Sequence, residues 1–253
     1  MLHQFSRTEL LLGSAALERL SCAHVAVFGI GGVGGHAVEA LARSGVGRLT
    51  LVDHDLVSIT NVNRQAVATL SAIGRAKVDV MAERVADINP ACVVERHQCF
   101  YLPENAERFD MSRYDYVVDA VDTVTAKLQL MGACSASGTP IISSMGAANK
   151  LDPCAFTVAD IEQTSIDPLA RIIRKECRKR GIGPVKVVYS TEPAVPIPAD
   201  AMQRAVAEDQ AAQDGAATRP SRHGVPGSVA FVPSVAGLII AGEVVRDLVG
   251  IGR

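Results

Sequence analysis

A chain of 253 residues, 48% apolar and 21% charged, is long enough to bury a large core as one α/β domain or a domain with an extension. A net charge of −2 confines any nucleic-acid binding to a local patch, and the absence of Trp argues against a base-stacking platform. The six cysteines include no C-x-x-C pair, so no zinc is expected and they read as buried thiols in a reducing cytoplasm.

Residues 8–20 predict one N-terminal helix with Leu11, Leu12, Ala15, Ala16 and Leu20 on one face. Arg7 at its start reads as a solvated side chain. The run Leu10–Leu12 is too short for a signal peptide, and the apolar stretch 229–242, which contains Pro233, is too short to span a bilayer. No transmembrane segment and a cytoplasmic location are therefore expected.

Residues 25–55 carry the strongest pattern. The apolar run Val25–Phe28 enters Gly29-Ile30-Gly31-Gly32-Val33-Gly34, an amphipathic helix follows, and a second apolar run ends at Asp53. This is the strand, glycine turn, helix, strand and acid of a dinucleotide-binding βαβ unit. Glycines let the backbone approach a phosphate, and the helix N-terminus presents unpaired N–H groups and partial positive charge. Asp53, 24 residues after Gly29, can accept from ribose hydroxyls.

Just beyond that strand, Asn61, Asn63, Arg64 and Gln65 crowd four hydrogen-bonding side chains into five residues, where open α/β sheets bind ligands. Arg64 can grip phosphate as a planar fork. Gly74-Arg75-Ala76-Lys77 opens a helix whose inner face is Val78, Met81, Val85 and Ile88. Lys77 stands in its first turn, against the helix dipole, which an anionic ligand explains better than stability does. Strands follow at 91–95, 114–120 and 140–144, with a helix at 125–137 and the acids Asp119 and Asp122 at a strand's carboxyl end. Strand and helix alternate to residue 145, as a parallel sheet covered on both faces requires.

The texture then changes. Residues 146–153, GAANKLDP, form a loop, and 154–159 predict a strand in an antiparallel extension. Asp167-Pro168 cap a helix with six cations and one acid, Glu176, within 171–180. That run is either a solvated face or a docking surface for RNA, formed by Arg171, Arg174, Lys175, Arg178 and Lys179. A strand at 185–189 leads into Ser190-Thr191-Glu192. Residues 193–228 read as a long, poorly packed, mobile crossover. A short strand at 228–231 and a helix from Pro233 to about Leu248, apolar nearly all round, close the chain.

The joint pattern of GxGGxG with DxD, then TNVNRQ, GRAKVD and DAVDT, resembles the ThiF/MoeB/HesA superfamily of adenylating enzymes over residues 5 to about 160. GAANKLDP, STEP and the closing GSVAFVPSVAGLIIAGEVVRDL are similar to its tRNA threonylcarbamoyladenosine dehydratase branch. The resemblance implies a Rossmann-like, doubly wound, mainly parallel α/β sheet with an antiparallel C-terminal extension. It also implies a single adenylation domain over 1–253, with the ATP-binding part at 1–150 and the extension at 151–253. The implied substrates are ATP with Mg²⁺ and tRNA carrying threonylcarbamoyladenosine, and the implied assembly is a homodimer. A monovalent cation near GAANKLDP and a sulfur-acceptor or desulfurase-type partner stay open.

Residue by residue, Gly29, Gly31, Gly32 and Gly34 would cradle the phosphates and Asp53 would hold the ribose. Asn61, Arg64 and Gln65 would contact the triphosphate, and Lys77 would stabilise charge on the α-phosphate. Asp122 would orient Mg²⁺, and Arg7 would reach a neighbouring subunit's nucleotide. The rival readings are adenylation of a ubiquitin-like sulfur carrier, and an NAD-dependent oxidoreductase or non-catalytic nucleotide-binding module.

Overall fold

The structure, a computed structural model, describes residues 2–213 and 226–252. Its centre is β1 (His24–Phe28), buried at every position, with β2 (Arg48–Val52) parallel on one side. β3 (Val93–His97) extends that side, while β4 (Tyr116–Asp119) and β5 (Ile141–Ser144) extend the other. With β6 (Phe156–Asp160) and β7 (Lys186–Ser190) the sheet runs β3-β2-β1-β4-β5-β7-β6, and β6 is its antiparallel member. The expected doubly wound sheet and antiparallel extension are both present. Strand order reverses between β1 and β4, and that reversal opens a crevice at the strands' carboxyl ends.

Helices cover both faces because both faces of the central strands are apolar. On one side lie α3 (Gly34–Arg43), α4 (Lys77–Ile88) and the closing helix α8 (Phe231–Val249), joined in one apolar cluster around Val25, Val27, Leu49 and Leu51. On the other side α5 (Val124–Ser137) covers Ala26, Phe28 and Val117, and α6 (Pro168–Arg180) packs beyond it through Ala170, Ile173 and Cys177. α8 buries Val232, Ala236, Ile240 and Val244, which explains its nearly continuous apolar surface. A Cβ on its Gly237 would lie 2.3 Å from the Val33 carbonyl oxygen, so glycine lets the α8 backbone approach the backbone at the start of α3.

Four expectations are corrected. The single N-terminal helix is two, α1 (Ser6–Leu12) and α2 (Ser14–Cys22), broken by Gly13 at φ 84°. No strand forms at 228–231, because α8 already begins at Phe231. The predicted crossover contains α7 (Ala199–Gln213), an Ala-rich segment with high helix propensity, while its residues 214–225 lie outside the described residues. Finally, only Cys134 and Cys177 are buried thiols; Cys92 and Cys99 are half-buried, and Cys22 and Cys154 sit exposed at a helix end and in a surface turn.

Candidate active site

The crevice at the topological reversal is a cleft of about 700 Å³ between the turn after β1 and the turn after β4. Two kinds of glycine build its floor. Gly29, at φ 89°, lets the turns touch: a Cβ there would lie 2.5 Å from the Ala120 carbonyl oxygen. Gly34 does the same inside the turn, where a Cβ would come within 1.8 Å of the Gly29 carbonyl oxygen. Gly34 does not line the cleft, so its place is packing rather than the cradle the pattern implied. Gly31 faces the cleft with room to spare, and Gly32 lies against Pro233. Among the described residues, the N–H groups of Gly31, Gly32 and Val33 have no intramolecular acceptor, and they precede the N-terminus of α3. That arrangement is an anion cradle.

Asp53 stands at the end of β2 as expected, and its carboxylate first holds the loops. Oδ2 accepts from Ile30 N–H at 2.6 Å and Oδ1 from Asp55 N–H at 2.8 Å. The remaining lone pairs stay on a cleft-lining group. Lys77 is the first residue of α4 and its side chain is 4% exposed. Its Nζ donates to Asp55 Oδ2 at 2.7 Å, so the anion inferred from its position at the dipole's positive end is supplied internally by Asp55. His54 Nε2 lies 3.0 Å from Asp55 Oδ1, with its ring 4.2 Å from that of Phe100.

Arg64 is different. It donates to the Thr60 carbonyl at 2.8 Å and to Asn63 Oδ1 at 2.9 Å, and no carboxylate faces it among the described residues. Burial pushes its guanidinium below the ordinary value, the mark of a cation desolvated without an anion. Three further polar atoms of cleft-lining residues are buried and unpartnered: Gln65 Oε1, Tyr101 Oη and Thr123 Oγ1. Native interiors leave few such atoms, so this group marks where a polar ligand belongs. Asn61 spends its Oδ1 on Ser58 N–H at 3.3 Å, closing the short turn that carries Arg64.

Asp122 lines the cleft from the β4 turn, exposed and without a protein partner among the described residues. A free carboxylate is the hard oxygen donor a divalent cation takes. Asp53, His54 and Asp55 also bring ligand atoms within 4.8 Å of one another, but those carboxylates are engaged by Ile30, Asp55 N–H and Lys77. Asp122 is therefore the better donor.

The cleft's far wall joins two motifs that lie some forty residues apart. Ala147 and Ala148 of GAANKLDP line it. Glu192 accepts from Leu151 N–H at 3.0 Å and Asp152 N–H at 2.9 Å, and Lys150 Nζ donates to the Glu192 carbonyl at 2.5 Å. These backbone bonds hold the Glu192 carboxyl below the usual carboxylate range.

Arg7 and the α6 cations lie elsewhere. Arg7 sits exposed on α1, outside the cleft. On α6, Arg174 is committed to the Thr164 carbonyl at 2.7 Å and Arg178 to Glu162 at 2.9 Å. Arg171, Lys175 and Lys179 remain exposed and unpartnered among the described residues, four apart on one stripe. The pattern missed a buried cluster of Asp119, Lys127 and Ser143 behind Asp122, since nothing local distinguishes Lys127 from any helix lysine.

A sequence profile of the ThiF family matches residues 5–253. The chain is 52% identical over 249 residues to the tRNA threonylcarbamoyladenosine dehydratase of Bacillus subtilis (strain 168), covering 98% of this chain and 95% of that one. It is 40% identical over 200 residues to the enzyme of the same name from Escherichia coli (strain K12), covering 76% and 75%. The crystal structure of the E. coli dehydratase, TcdA, in complex with ATP superposes with a TM-score of 0.83 at 33% identity, covering 98% and 94%.

Proposed function

The chain belongs to the ThiF family, and on that footing we propose that it uses ATP to dehydrate threonylcarbamoyladenosine in tRNA, releasing AMP and pyrophosphate. The observation that carries this reading is the uncompensated, half-buried Arg64 beside the free N–H groups of the glycine turn, in a cleft whose far wall is the GAANKLDP loop.

In this reading the turn N–H groups of Gly31 and Gly32, with Arg64, hold the triphosphate. Asp53 takes the ribose, with Asn61 and Gln65 completing the contacts. Lys77, held in place by Asp55, meets the charge that develops on the α-phosphate. Asp122 would hold Mg²⁺, which when bound shields phosphate charge and favours pyrophosphate as leaving group. The substrate's threonyl carboxylate attacks the α-phosphorus and becomes an acyl-adenylate. The carbamoyl oxygen then attacks that acyl carbon, the acyl C–O bond breaks, AMP leaves, and a cyclic oxazolone remains. The net change is loss of one water.

Closure needs no enzyme nucleophile. Cys99 is the cysteine that lines the cleft among the described residues, and burial pushes its thiol above the ordinary value, so it stays protonated at neutral pH. Cys99→Ala is expected to keep AMP release within about threefold of the parent. A loss of about a hundredfold would point to a covalent step instead.

Arg7 acts in this reading across a homodimer. α1 buries none of its residues and exposes Leu10 and Leu11 beside Arg7, an unpartnered apolar surface suited to a second copy. The stripe of Arg171, Lys175 and Lys179 is the tRNA docking surface. Neutralising all three is expected to weaken tRNA binding and reduce the slope of log affinity against log salt by about 2 to 3. An unchanged slope would return that stripe to a solvated face. A tRNA substrate supports a cytoplasmic location, and among the described residues no helix is long and apolar enough to cross a membrane.

The experiment that separates this reading from its rival is substrate-dependent AMP release. Modified tRNA should trigger it. Release that requires a ubiquitin-like carrier with a C-terminal glycine, and ignores tRNA, would favour the carrier reading.

A further inference from the structure

We propose that Lys127 is a positioning residue that locks the Asp122 turn to the start of the GAANKLDP loop, and so fixes how the cleft engages a metal–nucleotide complex. The side chains of Lys127 and Asp119 are 1% and 0% exposed, deep under the β4–β5 edge of the cleft. Lys127 Nζ has three acceptors on two strands, one at the end of β4 and two at the end of β5. They are Asp119 Oδ2 at 3.1 Å, Ser143 Oγ at 3.3 Å and the Ser144 carbonyl at 2.6 Å. All three ammonium protons are thus placed.

The network reaches the cleft in two directions. Asp119 Oδ1 accepts from Val121 N–H at 3.2 Å, which shapes the turn immediately before Asp122. Ser143 Oγ donates to Asp119 Oδ2 at 2.6 Å, and the Ser144 carbonyl leads within three residues to Ala147 on the opposite wall. One ammonium therefore spans the gap between the Asp122 turn and that wall. A buried ion pair is seldom more stabilising than apolar side chains of similar volume, so stability does not account for it. Registry of two catalytic segments does.

This inference rests on the proposed role of Asp122, and its test separates the two. The pair is replaced by apolar side chains in Asp119→Leu with Lys127→Met, which keeps the branching of the first and nearly the length of the second and removes both charges. Ser143→Ala is the milder variant, removing one hydroxyl from the same network. ATP affinity is measured by calorimetry with Mg²⁺ and with EDTA, alongside the Mg²⁺ dependence of AMP release and thermal melting. The double variant is expected to lose about 10- to 100-fold of the ATP tightening that Mg²⁺ confers, with affinity in EDTA unchanged. Ser143→Ala is expected to lose about three- to tenfold and to remain folded, so it decides the matter if the double variant does not fold.

Folded variants with the parent's Mg²⁺ dependence would overturn the proposal, leaving the network as a core feature seen only in melting. Asp122→Asn, run in parallel, identifies which idea fails. If Asp122→Asn loses the Mg²⁺ effect while the network variants keep it, the coupling alone is wrong. If Asp122→Asn also keeps it, the metal role of Asp122 falls and the coupling with it.

Discussion

Lys77→Ala is expected to lower turnover by about 10²- to 10³-fold, the cost of removing one preorganised charge from a developing oxyanion. Lys77 is nearly buried at the first position of α4, where the helix dipole opposes a cation, and its partner Asp55 is 45% exposed. Asp55 offsets that cost within the protein, so the role of Lys77 rests on its place in the cleft lining with Arg64. The fold should survive, because the abandoned Asp55 can turn to water and a partly exposed pair is worth no more than about 1 kcal/mol. Lys77→Met keeps the volume and should behave as Lys77→Ala does. Single-turnover AMP formation measures the effect, with circular dichroism as the control. Activity within a few-fold of the parent would remove Lys77 from the site.

Arg7→Ala is expected to be as inactive, though Arg7 is exposed and lies outside its own chain's cleft. The explanation offered is that it completes the site of a second copy, and the complementation test is specific to that geometry. Mixing equal amounts of Arg7→Ala and Lys77→Ala subunits, with exchange, puts half the dimers in mixed pairs. Each mixed dimer holds one intact site of two, so about a quarter of parent activity should return. A mixture no better than the average of its components would remove the cross-subunit role of Arg7.

How much of this was legible depended on how local the signal was. The turn after β1 could be read because glycine, helix and terminal acid lie within 30 residues and each residue type has a backbone reason to be there. Lys77 was legible through its conflict with the helix dipole. Its partner Asp55 belongs to the D-x-D already noted, but an ion pair between a loop and a helix start needs the fold to be seen. Gly34 shows the opposite failure: it belongs to the cradle pattern, yet a Cβ there would meet the backbone of Gly29.

The remaining gaps share a cause. Lys127 looks like a surface lysine on a helix until β4 and β5 bring Asp119 and Ser143 to its ammonium. The tie between Glu192 and the amides of Leu151 and Asp152 spans forty residues and leaves no periodicity. On α6 the sequence showed six cations, but only Glu162 and Thr164, both before the helix, reveal that Arg178 and Arg174 are already engaged. The break at Gly13 went unread because a glycine within an apolar helical pattern is often tolerated.

The central claim is attack by the substrate's own carboxylate on the α-phosphorus, followed by ring closure. It is tested most directly with tRNA whose threonylcarbamoyladenosine carries ¹⁸O in both carboxylate oxygens. After incubation with ATP and Mg²⁺, the modified nucleoside should be lighter by one labelled water, and the AMP should carry one ¹⁸O. Unlabelled AMP, or label found instead in inorganic phosphate beside ADP, would contradict the acyl-adenylate and the site assignment built on it.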